Sequence, residues 1–442
     1  MMVYDTTLNN LFIWNGTAWE SIPSSGDSTN EQVIFNDNGV LIGDPGLLFN
    51  KTTDKLMVAN TIDIWRGLLN QGASTGVGND TLNQTIVGAT ANTAFGYRAA
   101  SQLTTGTLNT GVGYLALKGA TTNFTGSNNV GVGANAGLQV MSGASNSFLG
   151  HNAGAAVTTG STNTAIGSNA LGNSAQASTG ANNIAIGNSA MFSASPVTGS
   201  DNIGIGRNTL TSLSTGSANT AVGDNALTVA TNGSANIAIG GLALQNCSLS
   251  DQTAVGYEAL RNLSGGNNNT AVGRSALRGQ LNSSNCTALG FQAALATTGG
   301  SNTAIGSNAL GLSPSGDSNT AVGALAMGSV ASTGSNNTCI GQSAGANITS
   351  GSFNVFIGPS AGATTNNGIS NICIGLAAYT SGVGASNELS IGSSAYYVAT
   401  NGAAATYFPT AGAGAVPAPG TVLGFIRLRL NGTLLKLAVY PD

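Results

Sequence analysis

One phrase, Asn-Thr-Ala-Ile-Gly-x-x-Ala-Leu, returns with small variations from about residue 74 to residue 396. A fixed period constrains the fold more than any single residue does, because each repeat must become the same unit and pack on its neighbours. The glycine of each phrase marks the series Gly78, Gly96, Gly113 and onward to Gly358, Gly375 and Gly392, with most neighbours about 17 residues apart. That period fits one turn of a coil of short strands rather than a helical repeat. The expected fold is therefore all-β, a parallel β-solenoid or β-roll growing in one dimension.

Growth in one dimension removes the usual link between length and domain count, so 442 residues need not divide into several globular domains. The organisation expected is an N-terminal β-hairpin attachment segment over 1–30, a second small β unit over 31–70, the repeat shaft over 71–396, and a linker with a C-terminal β-hairpin cap over 397–442. Leu11 to Trp19 reads as strand, Asn15-Gly16 turn and strand, the strongest short hairpin signal. Leu47 to Asn50 and Lys55 to Val58 flank a polar turn and read as a second hairpin. Phe425 to Tyr440, with Asn431-Gly432 at its centre, reads as a third. Ser21 to Thr29 and residues 411 to 420 have linker composition. Neither end is large enough to fold alone, so each is expected to form an intertwined trimeric cap.

Within a rung the residue before the marker is apolar and the residue two earlier is Thr, Ile or Val, as in Thr164 and Ile166. The side-chain period of two puts these on one strand face, and β-branched residues suit a packed sheet, so Ile166, Val222 and Val272 are expected to form the rung core. The opposite face carries little more than hydrogen and methyl, as in Ala165 with Gly167, Ala221 with Gly223 and Ala271 with Gly273. Small residues allow close approach of backbones, so this face is expected to pack against neighbouring copies around a threefold axis.

Three residues after the marker stands Ala, then usually Leu. Gly137, Gly154, Gly345 and Gly362 replace that Leu, and the last three belong to rungs whose residue two before the marker is enlarged to Phe148, Cys339 or Phe356. Volume lost at one position and gained at the other predicts that the two meet in a packed layer. Four before the marker stands Asn in most rungs, including Asn163, Asn219 and Asn269. Stacked side-chain amides at a turn predict an asparagine ladder.

Composition narrows the partners. Charged residues are 6%, against about 25% in typical soluble proteins. A net charge of −4 gives no basic stripe for nucleic acid. No apolar stretch approaches the roughly 18 residues of a membrane-spanning helix, and Met1 to Asp5 has no signal-peptide pattern. Synthesis in a cytoplasm is therefore expected. Cys339 and Cys373 sit two rungs apart, about 10 Å, too far for a disulfide, and buried free thiols are expected.

The phrase Asn163-Thr164-Ala165-Ile166-Gly167-Ser168-Asn169-Ala170-Leu171 resembles the head repeats of trimeric autotransporter adhesins, which form a parallel β-roll in a homotrimer, and is similar to repeats in bacteriophage tail fibres. The opening Val3 to Thr7 with Trp14 to Trp19, and the C-terminal hairpin, resemble segments common in phage tail proteins. The adhesins have shorter repeats, a signal peptide and a membrane-anchoring barrel with an aromatic terminus, whereas this chain closes with Tyr440-Pro441-Asp442. The resemblance implies a homotrimeric fibre but carries over no binding residue.

No catalytic, cofactor or metal site is expected. Paired carboxylates for glycan hydrolysis must sit about 5 to 9.5 Å apart. The shaft acids Asp80, Asp201, Asp224, Asp251, Glu258, Asp317 and Glu388 occupy no matching positions on adjacent rungs. His151 is the only His and has no Cys or Ser companion. An ice-binding surface would need exposed Thr columns, and Thr shares the face read as buried. Two readings remain. One is a virion appendage, a phage tail fibre with a rigid shaft of about 90 Å, host adhesion at an exposed tip or along loops, and a tail or baseplate protein on residues 1–70. The other is a microbial extracellular or cell-surface adhesive filament in which trimers join head to tail. The receptor would be a host glycan or protein.

Overall fold

The computed structural model describes residues 74–392 apart from 84–87, 121–123, 173–176, 280–281 and 313–314. Outside that span it describes the backbone of the strands named below. Ser21 to Thr29 includes residues outside the description, as do the 411 to 420 linker and both Asn-Gly turns.

The chain is all-β, a parallel β-solenoid of about 18 turns, with no helix among the described residues. One three-residue strand per rung, from Thr75–Val77 to Ile372–Ile374, pairs in parallel with the strand of the rung before and after. The register is constant: Thr164 lies beside Ile184, Ala165 beside Ala185 and Ile166 beside Ile186. Main-chain bonds continue around the coil, with Leu171 N–H donating to Ala190 O at 2.8 Å and Asn169 N–H to His151 O at 2.9 Å. Antiparallel strands border the stack: Ile62–Arg66 pairs with Thr75–Val77, and Leu389–Ser393 pairs with Tyr396–Thr400. Near the N-terminus Met2–Asp5, Asn10–Trp14 and Trp19–Ser21 form a three-stranded antiparallel sheet, with Trp14 opposite Trp19. The strand Met2–Asp5 extends the two-stranded hairpin read from the sequence. Lys55–Val58 pairs with the end of Val40–Asn50, and Gly424–Leu430 pairs with Thr433–Val439.

The two strand faces are the reverse of the sequence expectation. Ala165, Ala221 and Ala271 are fully buried inside the coil, whereas Ile166 is 39% exposed and Val222 and Val272 are half-buried on its outer side. Alternation places the residues on two faces but does not say which face looks inward. Rung size decides it. A wall only three residues wide leaves room inside for methyl groups, and the remaining interior is filled by the Ala and Leu after the turn, as in Ala170, Leu171, Ala226 and Leu227. The branched side chains of the strand point out, while the interior also encloses Val140, Val157 and Ile348, seven residues after the marker.

Gly167, Gly223 and Gly273 are also explained within one chain. A Cβ on Gly223 would stand 2.7 Å from the carbonyl carbon of Gly240 in the next rung, and its φ of +129° is one that side chains rarely adopt. These glycines let one rung rest on the next, so their smallness is satisfied without a second copy.

The volume exchange read from the repeat is a direct contact. Phe148 is fully buried, its ring lies where a Cβ on Gly154 would project, and a Cβ on Gly137 one rung earlier would stand 2.8 Å from it. Phe356 fills the corresponding space beside Gly362. Phe148→Ala is expected to cost about 3–5 kcal/mol. Gly154→Leu alone should destabilise by overpacking. In chemical denaturation the double variant should be more stable than the sum of the single losses, which additive losses would contradict. Gly223→Ala should cost at least about 1–3 kcal/mol through its backbone conformation alone, measured in the same way.

Candidate functional site

Four residues before each marker glycine, a column of side chains runs through the stack. Asn219 shows the arrangement: its N–H and Nδ2 both donate to Asn202 Oδ1, at 3.1 and 3.0 Å, and Nδ2 also donates forward to Gly233 O at 2.8 Å. Its Oδ1 accepts from Asn236 N and Nδ2. Asn163 N–H donates to Asn146 Oδ1 at 2.8 Å and Asn269 N–H to Gln252 Oε1 at 3.2 Å. All three are buried, and each link satisfies main-chain groups that have no water to turn to.

The column has variants that the sequence reading missed. Ser74 starts it by accepting from Asn92 N–H, Gln252 continues it by donating its N–H to Asn236 Oδ1, and Cys286 N–H donates to Asn269 Oδ1. Glu388 occupies the position in the last rung. A carboxylate there accepts the Ser381 N–H at 2.7 Å and the Ser381 hydroxyl, where an amide would direct its NH₂ to a further rung. A second column, six before the marker, is also new: Ser200, Ser217, Ser234 and Ser250 accept from the main-chain N–H of Ala181, Ser200, Ser217 and Ser234. Counting back to the marker glycine in every rung is the signal that finds both.

Exposed apolar side chains gather on the outer strand face. Phe95, Leu149, Ile166, Ile205, Ile239, Leu289, Ile305, Ile340, Ile357 and Ile374 lie in one exposed column. In the neighbouring outward column Thr alternates with Ile and Val, and Thr253, Thr270, Thr287, Thr303, Thr320 and Thr338 follow one another in register. The Thr column thus faces outward, and the ground on which an ice-binding face was set aside falls. The adjoining column of Ile, Leu and Phe, unequal in size, still does not form a flat hydroxyl lattice.

The carboxyl groups of most shaft acids have their own partners. Asp224 is paired with Arg207 through two contacts of 3.1 and 2.8 Å, and this partner holds its carboxyl below the ordinary range. Asp317 Oδ1 accepts from Gly300 N–H at 2.7 Å, and Asp201 Oδ1 from Asn182 Nδ2 at 3.0 Å. Among the described residues no group of three His, Cys, Asp or Glu is placed to hold a metal ion, and no helix is long and apolar enough to cross a membrane. His151 is exposed. Cys247, Cys286, Cys339 and Cys373 are free and buried. Burial pushes Cys247 up to about 11 and Cys373 up to about 12, and raises Cys339 further.

In comparisons with family models, curated proteins and solved structures, nothing matches this chain.

Two outcomes follow from these columns. Asn219→Ala should cost several kcal/mol, because it leaves buried partners such as Gly233 O and Asn236 N–H unsatisfied at about 1–3 kcal/mol each. A loss under about 0.5 kcal/mol in a denaturation series would contradict the ladder's structural role. A raised thiol pKa leaves little reactive thiolate, so native protein at pH 8 should resist thiol alkylation at Cys247 and Cys373. Mass spectrometry should show fast labelling only after denaturation.

Proposed function

We propose that this chain is the shaft subunit of a fibrous virion appendage, a phage tail fibre that supports host adhesion, and that three parallel copies pack through their outward Ile, Val and Leu columns. The observation that carries the reading is the length of that apolar face. It runs from Phe95 to Ile391, a strip roughly 85 Å long and about 7–10 Å wide at strand and rung spacings. Such an area is at or above the largest apolar patch usual on a soluble monomer, about 300–600 Å², and approaches the ~800 Å² that each partner buries in a standard interface.

Copies related by an axis along the stack present the same rung to each other at every level, so one face per chain can be covered without exposing another. A threefold assembly of this kind uses a different surface from the one expected of the sequence: branched side chains between copies, methyl groups inside each copy. Regular strand pairing with ladders at the turns makes each coil a stiff spacer, which is what an attachment fibre requires. The resemblance of the rung phrase to tail-fibre and adhesin repeats supports the same reading. No catalytic role is proposed, since the acids serve individual ion pairs and turn contacts.

The two strand faces separate the assembly from the fold. Ile166→Asp combined with Ile205→Asp should leave the β-sheet signal in circular dichroism and reduce the mass measured by light scattering from trimer to monomer. Ala165→Lys should instead unfold local rungs, because the charge would enter a closed interior. A trimer that survives both Asp substitutions would contradict the proposed interface.

A further inference from the structure

The repeat needs only small or uncharged residues on its turns, so a place where bulky and charged residues gather on the surface calls for another explanation. Between residues 74 and 393 the chain has six Lys or Arg, and three of them, Arg261, Arg274 and Arg278, fall in two consecutive rungs. From residue 252 to 316 the only acid is Glu258, leaving a net charge of +2 (three Arg against one Glu) in a chain that is acidic as a whole.

These residues are arranged. Directly after the marker glycines, Tyr257, Arg274 and Phe291 form an exposed row on successive rungs. The Arg274 guanidinium carbon lies 5.8 Å from the Tyr257 ring centroid. On the rung before, Gly241 leaves the space in which that ring lies: a Cβ there would be 3.3 Å from Tyr257 Cδ2. In the same two rungs Glu258 holds the other cations. Arg261 Nη1 donates to Glu258 Oε1 at 2.7 Å and its Nε to Gln245 Oε1 at 3.0 Å. Arg278 Nε lies 3.1 Å from Glu258 Oε2, an ion pair whose angle does not make a hydrogen bond. Ser275 Oγ, beside Arg274 in the chain, is 3.4 Å from Glu258 Oε2. Glu258 and Arg261 are thus fixed partly out of water, while among the described residues Arg274 shows only the contact with the Tyr257 ring.

We propose that the Tyr257–Arg274–Phe291 row, with Arg261 and Arg278 held in the same rungs by Glu258, binds an acidic polysaccharide lying along the shaft. Flat exposed rings suit the apolar faces of sugar rings, and a planar guanidinium suits a carboxylate or sulfate through paired hydrogen bonds. Tyr257 and Phe291 are two rungs apart, about 10 Å, comparable to the advance of one disaccharide along an extended chain. A turn surface on a straight coil favours an extended ligand over one that must be enclosed. This inference rests on reading the shaft as an attachment fibre, and it supplies the substrate class that such a fibre would hold.

The test uses the full chain in its assembled form, with polygalacturonate as a carboxylate probe, heparin as a sulfate probe, dextran as a neutral one and polyglutamate as an acidic peptide. Biolayer interferometry should show binding to one or both acidic polysaccharides, with the stronger arm identifying the anion, and none to dextran. Arg274→Ala and Tyr257→Ala should each weaken it by about tenfold, the loss of one charge-assisted or ring contact, with the mass from light scattering unchanged. Equal affinity for polyglutamate, no affinity for either acidic polysaccharide, or disassembly of the oligomer by Arg274→Ala would overturn the proposal. A monomeric wild type that still binds through these residues would overturn the trimer and leave the glycan site standing.

Discussion

The structure depends on how closely one turn of backbone can rest on the next. At the marker positions the carbonyl of each glycine lies where the preceding rung's side chain would begin, so only hydrogen fits between them. A second set, including Gly160 and Gly180, makes the same approach on another side of the coil. With both sides pinned, the rungs stay level and the same few residues meet at every height. Ladders become possible for that reason: an amide column such as Asn202, Asn219 and Asn236 needs its members one strand spacing apart and in line.

Close stacking has a consequence for side-chain size. A three-residue strand wall turns alanine or glycine inward in most rungs, against a leucine from the following turn and, in many rungs, an apolar residue such as Leu213, Leu263 or Ile348. The larger branched residues of the strand are left outside, in register, rung after rung. The outer apolar face is built by these residues, and the proposed assembly would cover it. Where the interior is enlarged, as at Phe148, the repeat removes a neighbouring leucine in exchange. The polar side of the same economy is the turn surface, where the repeat leaves room for clusters such as Tyr97 with Tyr114 and Arg98, and Tyr257 with Arg274.

Much of this was legible in the sequence because a repeat compares itself with itself. The period, the strand before each marker glycine, the Asn column and the exchange between Phe148 and Gly154 all come from aligning rungs of one chain. The faces were not legible. Alternation assigns Ala165 and Ile166 to opposite sides, and the habit of placing the larger apolar residue inside gives the wrong answer where the strand's inner position already meets a leucine from a turn, as Gly131 meets Leu117. The role of Gly167 was missed for a related reason, since smallness was attributed to a neighbouring copy when the next rung of the same chain already fills the space. Glu388 and Gln252 escaped notice because the column was sought as asparagine and not as a position.

The most direct measurement is a density map of the assembled protein at side-chain resolution. The account predicts three parallel coils, with Ile166, Ile205 and Ile239 meeting at the shared axis and Ala165 enclosed within each coil. Alanine columns pressed between neighbouring coils, or a solitary coil with its isoleucine face in solvent, would contradict it.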